Sequence, residues 1–185
     1  MNGNATAARQ LHIVTGAPGT GKTEVLAALG PHINVVSEPA RLILAEYRAA
    51  GGRGQIEAER FVALLLERAI DQYDQAVRSA TRTLFDRAIP DCAAYALHLG
   101  TDPAPSLAAA ATHRYHREAL LFSPWESIYT TDIERTMTFE MTVAFHHAVV
   151  AAYDECGYEL TEVPQTSISE RAGFIARHLS LGRAD

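Results

Sequence analysis

Near the N-terminus, Gly16-Ala17-Pro18-Gly19-Thr20-Gly21-Lys22-Thr23 fits the pattern G-x-x-x-x-G-K-[ST] without a mismatch. The run before it, Leu11–Thr15, is β-rich and apolar and reads as a buried strand. Lys22–Leu29 after it reads as a helix, stopped by Gly30 and Pro31. A glycine-rich turn between a strand and a helix lets the backbone curl so that successive N–H groups point inward. The helix N-terminus adds its partial positive charge, so the turn forms a cradle for phosphate oxygens. Lys22 can reach the β- and γ-phosphates of a nucleotide, and the Thr23 hydroxyl can coordinate Mg²⁺. From average residue usage, chance produces such a match on the order of once per hundred chains of this length. The required strand and helix make it rarer. Of the 16 basic residues only one, Lys22, is lysine.

The rest of the composition bounds the setting. At 185 residues and 48% hydrophobic, the chain suits one compact domain spanning residues 9–185, with Met1–Ala8 as a flexible tail. The longest apolar runs fall far short of a membrane span, and Met1–Gln10 has no apolar core of a secretory signal. Cys92 and Cys156 form no disulfide framework and match no zinc spacing, which reads as reduced, buried thiols in a cytoplasmic protein. A net charge of −6 argues against binding nucleic acid by bulk electrostatics, but not against a locally held phosphate.

Strands are expected at Leu11–Thr15, Ile33–Val36, Thr81–Phe85, Ala119–Phe122 and Tyr158–Val163, with helices between them. Among those helices are Pro39–Ala50, Ile56–Ala80, Asp91–Leu99, Ser106–Arg114, Glu134–Glu155 and Ser167–Leu179. Alternation of this kind predicts an α/β fold: a five-stranded parallel sheet in a three-layer sandwich, covered by helices on both faces. Ligands of such sheets gather at the carboxyl ends of the strands. The informative residues fall there.

Glu38 follows the second strand. It can accept a proton from a substrate hydroxyl or position that hydroxyl for in-line attack on a γ-phosphate, or it complements the dipole of the helix from Pro39. Asp86 ends the third strand, where a carboxylate can hold Mg²⁺ through its waters, and Arg87 beside it points toward the phosphoryl group or the acceptor. A solvent-exposed Asp86–Arg87 ion pair is the plainer alternative. Arg135 reads either as an arginine supplied to the developing charge or as an ordinary helix-surface residue. Pro164, after the fifth strand, can border an adenine ring, and Arg41 is a candidate on the acceptor side. Trp125 reads as a packing anchor. Tyr95 and His98 line the substrate pocket or simply pack. The histidines at 113, 116, 146 and 147 lack the spacing of a metal site.

Gly16–Thr23, Ser37–Arg41, Phe85–Asp91, Pro124-Trp125 and Asp132–Arg135 together resemble the small bacterial AAA-labelled predicted ATPases. That group is similar to the ribosylnicotinamide kinase domain and, more distantly, to the deoxynucleoside kinases. The resemblance runs on through Val163-Pro164 and Ser169-Glu170-Arg171, nearly the whole chain. It implies an ATP- and Mg²⁺-dependent kinase fold, with Glu38 at the place of the catalytic base and Asp86-Arg87 at the acidic–Arg pair that binds Mg²⁺ and phosphate. The chain departs from the kinases at Ala88, where they carry Ser or Gly, and in a shortened arginine-rich segment near Ile128–Arg135. The reading that follows is a phosphotransferase whose acceptor is a small hydroxylated, nucleoside-like molecule. A nucleotide-dependent switch or simple ATPase with a protein partner stands as the second reading.

Overall fold

A computed structural model describes residues 10–30, 33–129 and 137–179. The tail expected at Met1–Ala8 and the candidate Arg135 lie outside the described residues. Five strands pair in one sheet: β1 (Leu11–Gly16), β2 (Asn34–Val36), β3 (Thr83–Asp86), β4 (Glu118–Phe122) and β5 (Glu159–Glu162). Their order is β2-β3-β1-β4-β5, and every pairing is parallel. Seven helices are described: α1 (Lys22–Ala28), α2 (Pro39–Ala49), α3 (Ala58–Ser79), α4 (Ile89–Leu99), α5 (Ala104–Thr112), α6 (Phe139–Glu155) and α7 (Ile168–His178).

Because successive strand residues face opposite sides, the central strands feed two separate cores. Leu11, Ile13, Phe85, Ala119 and Leu121 pack on one face against Leu65, Ala69 and Tyr73 of α3, Ile89 and Cys92 of α4, and Phe145 and Val149 of α6. Val14, Leu84, Leu120 and Phe122 face the other side, against Val25 and Leu26 of α1 and Ala172 and Ile175 of α7. The sandwich is three layers deep, as the alternation of elements predicts. Cys92 is buried and unpaired; Cys156, expected buried, is half-buried. No described helix is long and apolar enough to cross a membrane.

Three boundaries differ from expectation for identifiable reasons. Strand β3 begins at Thr83 rather than Thr81, because Thr83 is the residue whose N–H reaches the Gln10 carbonyl at 2.9 Å and sets the register with Leu11. Helix α4 begins at Ile89, ahead of the expected Asp91, since Pro90 fits a first helical turn where its missing N–H costs nothing. Helix α6 begins at Phe139 rather than Glu134. Its cap is Thr138, whose side-chain oxygen accepts from the Met141 N–H.

With all strands parallel, their carboxyl ends share one edge of the sheet. From β1 the chain leaves toward β2 on one side, and from β4 it leaves toward β5 on the other. The crevice at the carboxyl ends of β1 and β4 is therefore the topological switch point.

Candidate functional site

The glycine-rich turn sits at that crevice. Gly16 adopts φ +131°, and a Cβ there would lie 2.2 Å from the Phe122 carbonyl oxygen of β4. Only glycine allows β1 to run this close to β4 before turning. Gly21 caps α1 in the left-handed region at φ +78°. Between them, the Thr20 hydroxyl donates to the Ala17 carbonyl at 2.9 Å and closes the turn on itself.

Lys22 begins α1 and folds back into the turn. Its Nζ donates to the carbonyls of Gly16 at 3.0 Å and Ala17 at 2.9 Å. Burial, and then repulsion from Arg87, push its pKa down to about 8; Asp86, Glu38 and Asp91 oppose the shift. The ammonium is thus a desolvated cation at the mouth of the turn, held by its backbone. Ala17 is buried, Pro18 and Gly19 are partly exposed, and Thr23 faces solvent on the first turn of α1.

Asp86 lies at the end of β3 and is 6% exposed. Its Oδ1 is buried and has no hydrogen-bond partner among the described residues. Burial raises its pKa, with the Glu38 charge adding to the rise and Lys22 and Arg87 opposing it. An orphaned carboxylate oxygen is costly unless something else binds it. Asp86 and Thr23 line the same open pocket of about 440 Å³, together with Ser37, Glu38 and Arg41. A carboxylate and a hydroxyl suit a hard cation that keeps most of its waters, so these residues fit Mg²⁺. No group of three or more His, Cys, Asp or Glu able to hold a metal occurs among the described residues.

Glu38 follows β2 and precedes Pro39, the first residue of α2. Its Oε1 accepts from Arg87 Nε at 2.7 Å and from the Tyr95 hydroxyl at 3.4 Å, and its Oε2 from Arg41 Nε at 3.1 Å. Burial alone would raise its pKa, but Arg87, Lys22 and Arg41 together hold it below the usual carboxylate range. It is an ionised carboxylate in a buried setting. Arg41, with 52% of its side chain exposed, is the partner able to yield.

Arg87 is neither exposed nor aimed freely at the pocket: it is 2% exposed and adopts φ +70°. Its backbone N–H donates to the Val14 carbonyl at 2.9 Å, which holds that unusual backbone in place. The guanidinium bridges Glu38 and, at 3.3 Å, Asp91. It also packs on the rings of Tyr95 and Phe145, at 5.7 and 5.3 Å. The Asp86–Arg87 step therefore sends one side chain to the pocket and the other into the core behind Glu38.

Sequence reasoning did not assign Asp91. It accepts from Thr15 Oγ1 at 2.5 Å, Tyr153 Oη at 2.6 Å, the Ala88 N–H at 2.8 Å and Arg87. Three donors, from β1, α6 and the N-cap of α4, thereby fix the carboxylate that pairs with Arg87. The available signal was spacing: Asp91 and Tyr95 lie four residues apart on one face of α4, and Arg87 stands four residues before Asp91, just ahead of the helix.

At the other side of the crevice, Pro164 is exposed in the loop after β5, and Gln165 Nε2 ties that loop to the Pro124 carbonyl at 3.0 Å. Trp125 packs on the Arg171 guanidinium, 5.3 Å from ring to carbon. His98 and Tyr95 both pack on Phe145.

Residues 11–171 match the family model described as an AAA domain, and the chain belongs to that family. No curated protein matches it in sequence. Among solved structures, thymidylate kinase from Candida albicans superposes with a TM-score of 0.59 at 13% identity, covering 92% of this chain and 91% of that one. Thymidylate kinase from Ehrlichia chaffeensis gives 0.60 at 12% identity, covering 91% and 98%. NadR in complex with NR gives 0.67 at 17% identity; the match spans 98% of this chain but 56% of NadR. At these identities the likeness is one of fold, and the fold is that of the nucleotide kinases.

Proposed function

We propose that this protein transfers the γ-phosphoryl group of Mg²⁺-bound ATP to the hydroxyl of a small, nucleoside-like acceptor. The observation that carries the reading is the meeting, at one edge of the sheet, of three groups with separate duties. These are the lysine-bearing turn, the orphaned Asp86 oxygen, and the ionised Glu38 clamped by Arg87 and Arg41.

In this reading the inward N–H groups of Gly16–Thr23 and the Lys22 ammonium grip the triphosphate, and Thr23 and Asp86 hold the metal. Mg²⁺ bound there would neutralise charge on the β- and γ-phosphates. Glu38 accepts a hydrogen bond from the acceptor hydroxyl and aligns its oxygen on the γ-phosphorus, Arg41 giving way. The new P–O bond forms as the bond to the β,γ-bridging oxygen breaks, ADP leaves, and the hydroxyl proton passes to Glu38. In a loose transition state orientation matters more than basicity, which suits a carboxylate of lowered pKa. Asp91, Tyr153 and Thr15 act behind the site by fixing Arg87. Pro164 borders the base of the nucleotide.

The test is acceptor-dependent release of ADP from Mg²⁺–ATP over a panel of nucleosides, nucleoside monophosphates and hydroxylated vitamins, with detection of the phosphorylated product. Stimulation by an acceptor supports the kinase. Slow hydrolysis that no acceptor accelerates, but a protein partner does, replaces it with a switch.

A further inference from the structure

Outside that machinery, Arg171 stands on the first turn of α7. The helix starts with a capping box in which Ser167 and Glu170 exchange hydrogen bonds. The first-turn neighbour Ile168 is 44% exposed, while Arg171 is only 5% exposed. Its guanidinium reaches across 151 positions of sequence, and Nη1 donates to the Thr20 carbonyl at 3.0 Å. The indole of Trp125 and the ring of Phe122 pack on it at 5.3 and 6.0 Å. A Cβ at Gly21 would meet Nη1 at 3.0 Å and Nη2 at 3.2 Å, so a side chain at that position crowds the guanidinium. Burying a guanidinium against a carbonyl is costly for stability alone.

We infer that Arg171 is a positioning residue for the phosphate-binding turn, setting the Thr20–Gly21 peptide so that the Gly21 N–H faces the phosphates. In a trans peptide the C=O and the following N–H point in opposite directions. The Thr20 carbonyl points at Arg171, so the Gly21 N–H points away from the guanidinium. Gly21 is free to take either orientation because it lacks a side chain, and the guanidinium selects one. Trp125 holds the guanidinium plane in place. A donor fixed before the nucleotide arrives spares the binding step that reorganisation. Arg171 thus ties α7 and the start of the segment after β4 to the turn at the end of β1.

This inference rests on the turn binding polyphosphate, and the test separates the two. Calorimetric titrations of Mg²⁺–pyrophosphate and Mg²⁺–ATP are run on the wild type, Arg171→Met and Arg171→Lys, alongside melting curves and acceptor KM. Arg171→Met should raise both Kd values by the same factor, about tenfold, from one charge-assisted hydrogen bond. The acceptor KM should hold, and Arg171→Lys should recover most of the loss. A folded Arg171→Met protein with unchanged pyrophosphate affinity overturns the inference, as does weakening confined to ATP, which would mark a contact to the nucleoside. A wild type that binds neither ligand removes the proposed function and this inference with it. Should Arg171→Met not fold, Trp125→Leu releases the guanidinium plane without removing the charge. It should weaken pyrophosphate in the same direction, and no change overturns the inference.

Discussion

Proton uptake on nucleotide binding follows from the state of Lys22. Its ordinary pKa of 10.5 is pushed down to about 8 by burial and by Arg87. A polyphosphate anion against the ammonium reverses that, returning the pKa toward its ordinary value or above. At pH 8 about half of the free protein lacks the proton, so binding should take up about 0.5 proton per site. The uptake should fall to about 0.1 at pH 7 and rise to about 0.75 at pH 8.5. A nonhydrolysable ATP analogue with Mg²⁺, titrated calorimetrically in buffers of different ionisation enthalpy, reads this as the slope of heat against buffer enthalpy. A zero slope at pH 8, or one that does not change between pH 7 and 8.5, would refute a desolvated Lys22 that meets the phosphates.

Two further expectations concern the carboxylate and histidine networks. Glu38→Gln should cut transfer by about a hundredfold with little loss of ATP affinity, and should cost about 3 kcal/mol of stability, because Arg87 is left buried with a weaker partner. Unchanged turnover removes Glu38 from the mechanism, and an unchanged denaturant midpoint removes the buried pair. At the opposite edge of the sheet, His12 has a pKa lowered from 6.5 to about 4 by burial and by His116, Arg82 and His178. The unfolded chain therefore takes the proton first, and stability falls as pH drops from about 6.5 toward 4, by at most about 3 kcal/mol. His12→Asn should lose that part of the acid dependence; identical slopes of stability against pH in the two proteins would contradict it.

The sandwich was legible because its cues are local. LHIVT before the glycines, the capping pair Ser167 and Glu170, and the apolar spacing of α3 each announce an element within a few residues. The order of the strands was not, since nothing local in Ile33–Val36 says that β3, far along the chain, will separate it from β1. The site divides in the same way. The phosphate turn is one contiguous motif, and Asp86 and Glu38 follow their strands directly. The pairing of Glu38 with Arg87, 49 positions apart, and of Arg171 with Thr20 depends on packing that brings α4 and α7 to the crevice. The buried clamp that Arg87 makes with Glu38 and Asp91 is not visible in its neighbours along the chain either.

The central claim is that Lys22 is kept at an energetic cost in order to hold a polyphosphate. Its depressed pKa means that the unfolded chain holds the proton more tightly; the penalty is complete below about pH 8 and fades toward 10.5. At pH 7 it amounts to about 3 kcal/mol, offset in part by the hydrogen bonds to Gly16 and Ala17. Melting curves of the wild type and Lys22→Met, each with and without Mg²⁺–ATP, test this directly. The account predicts that Lys22→Met melts at or above the wild type without nucleotide. With nucleotide at about a hundred times Kd, the wild type should rise by about 5–10 °C and the variant should not move. A variant that unfolds at lower temperature, or that gains as much from nucleotide as the wild type, would contradict it.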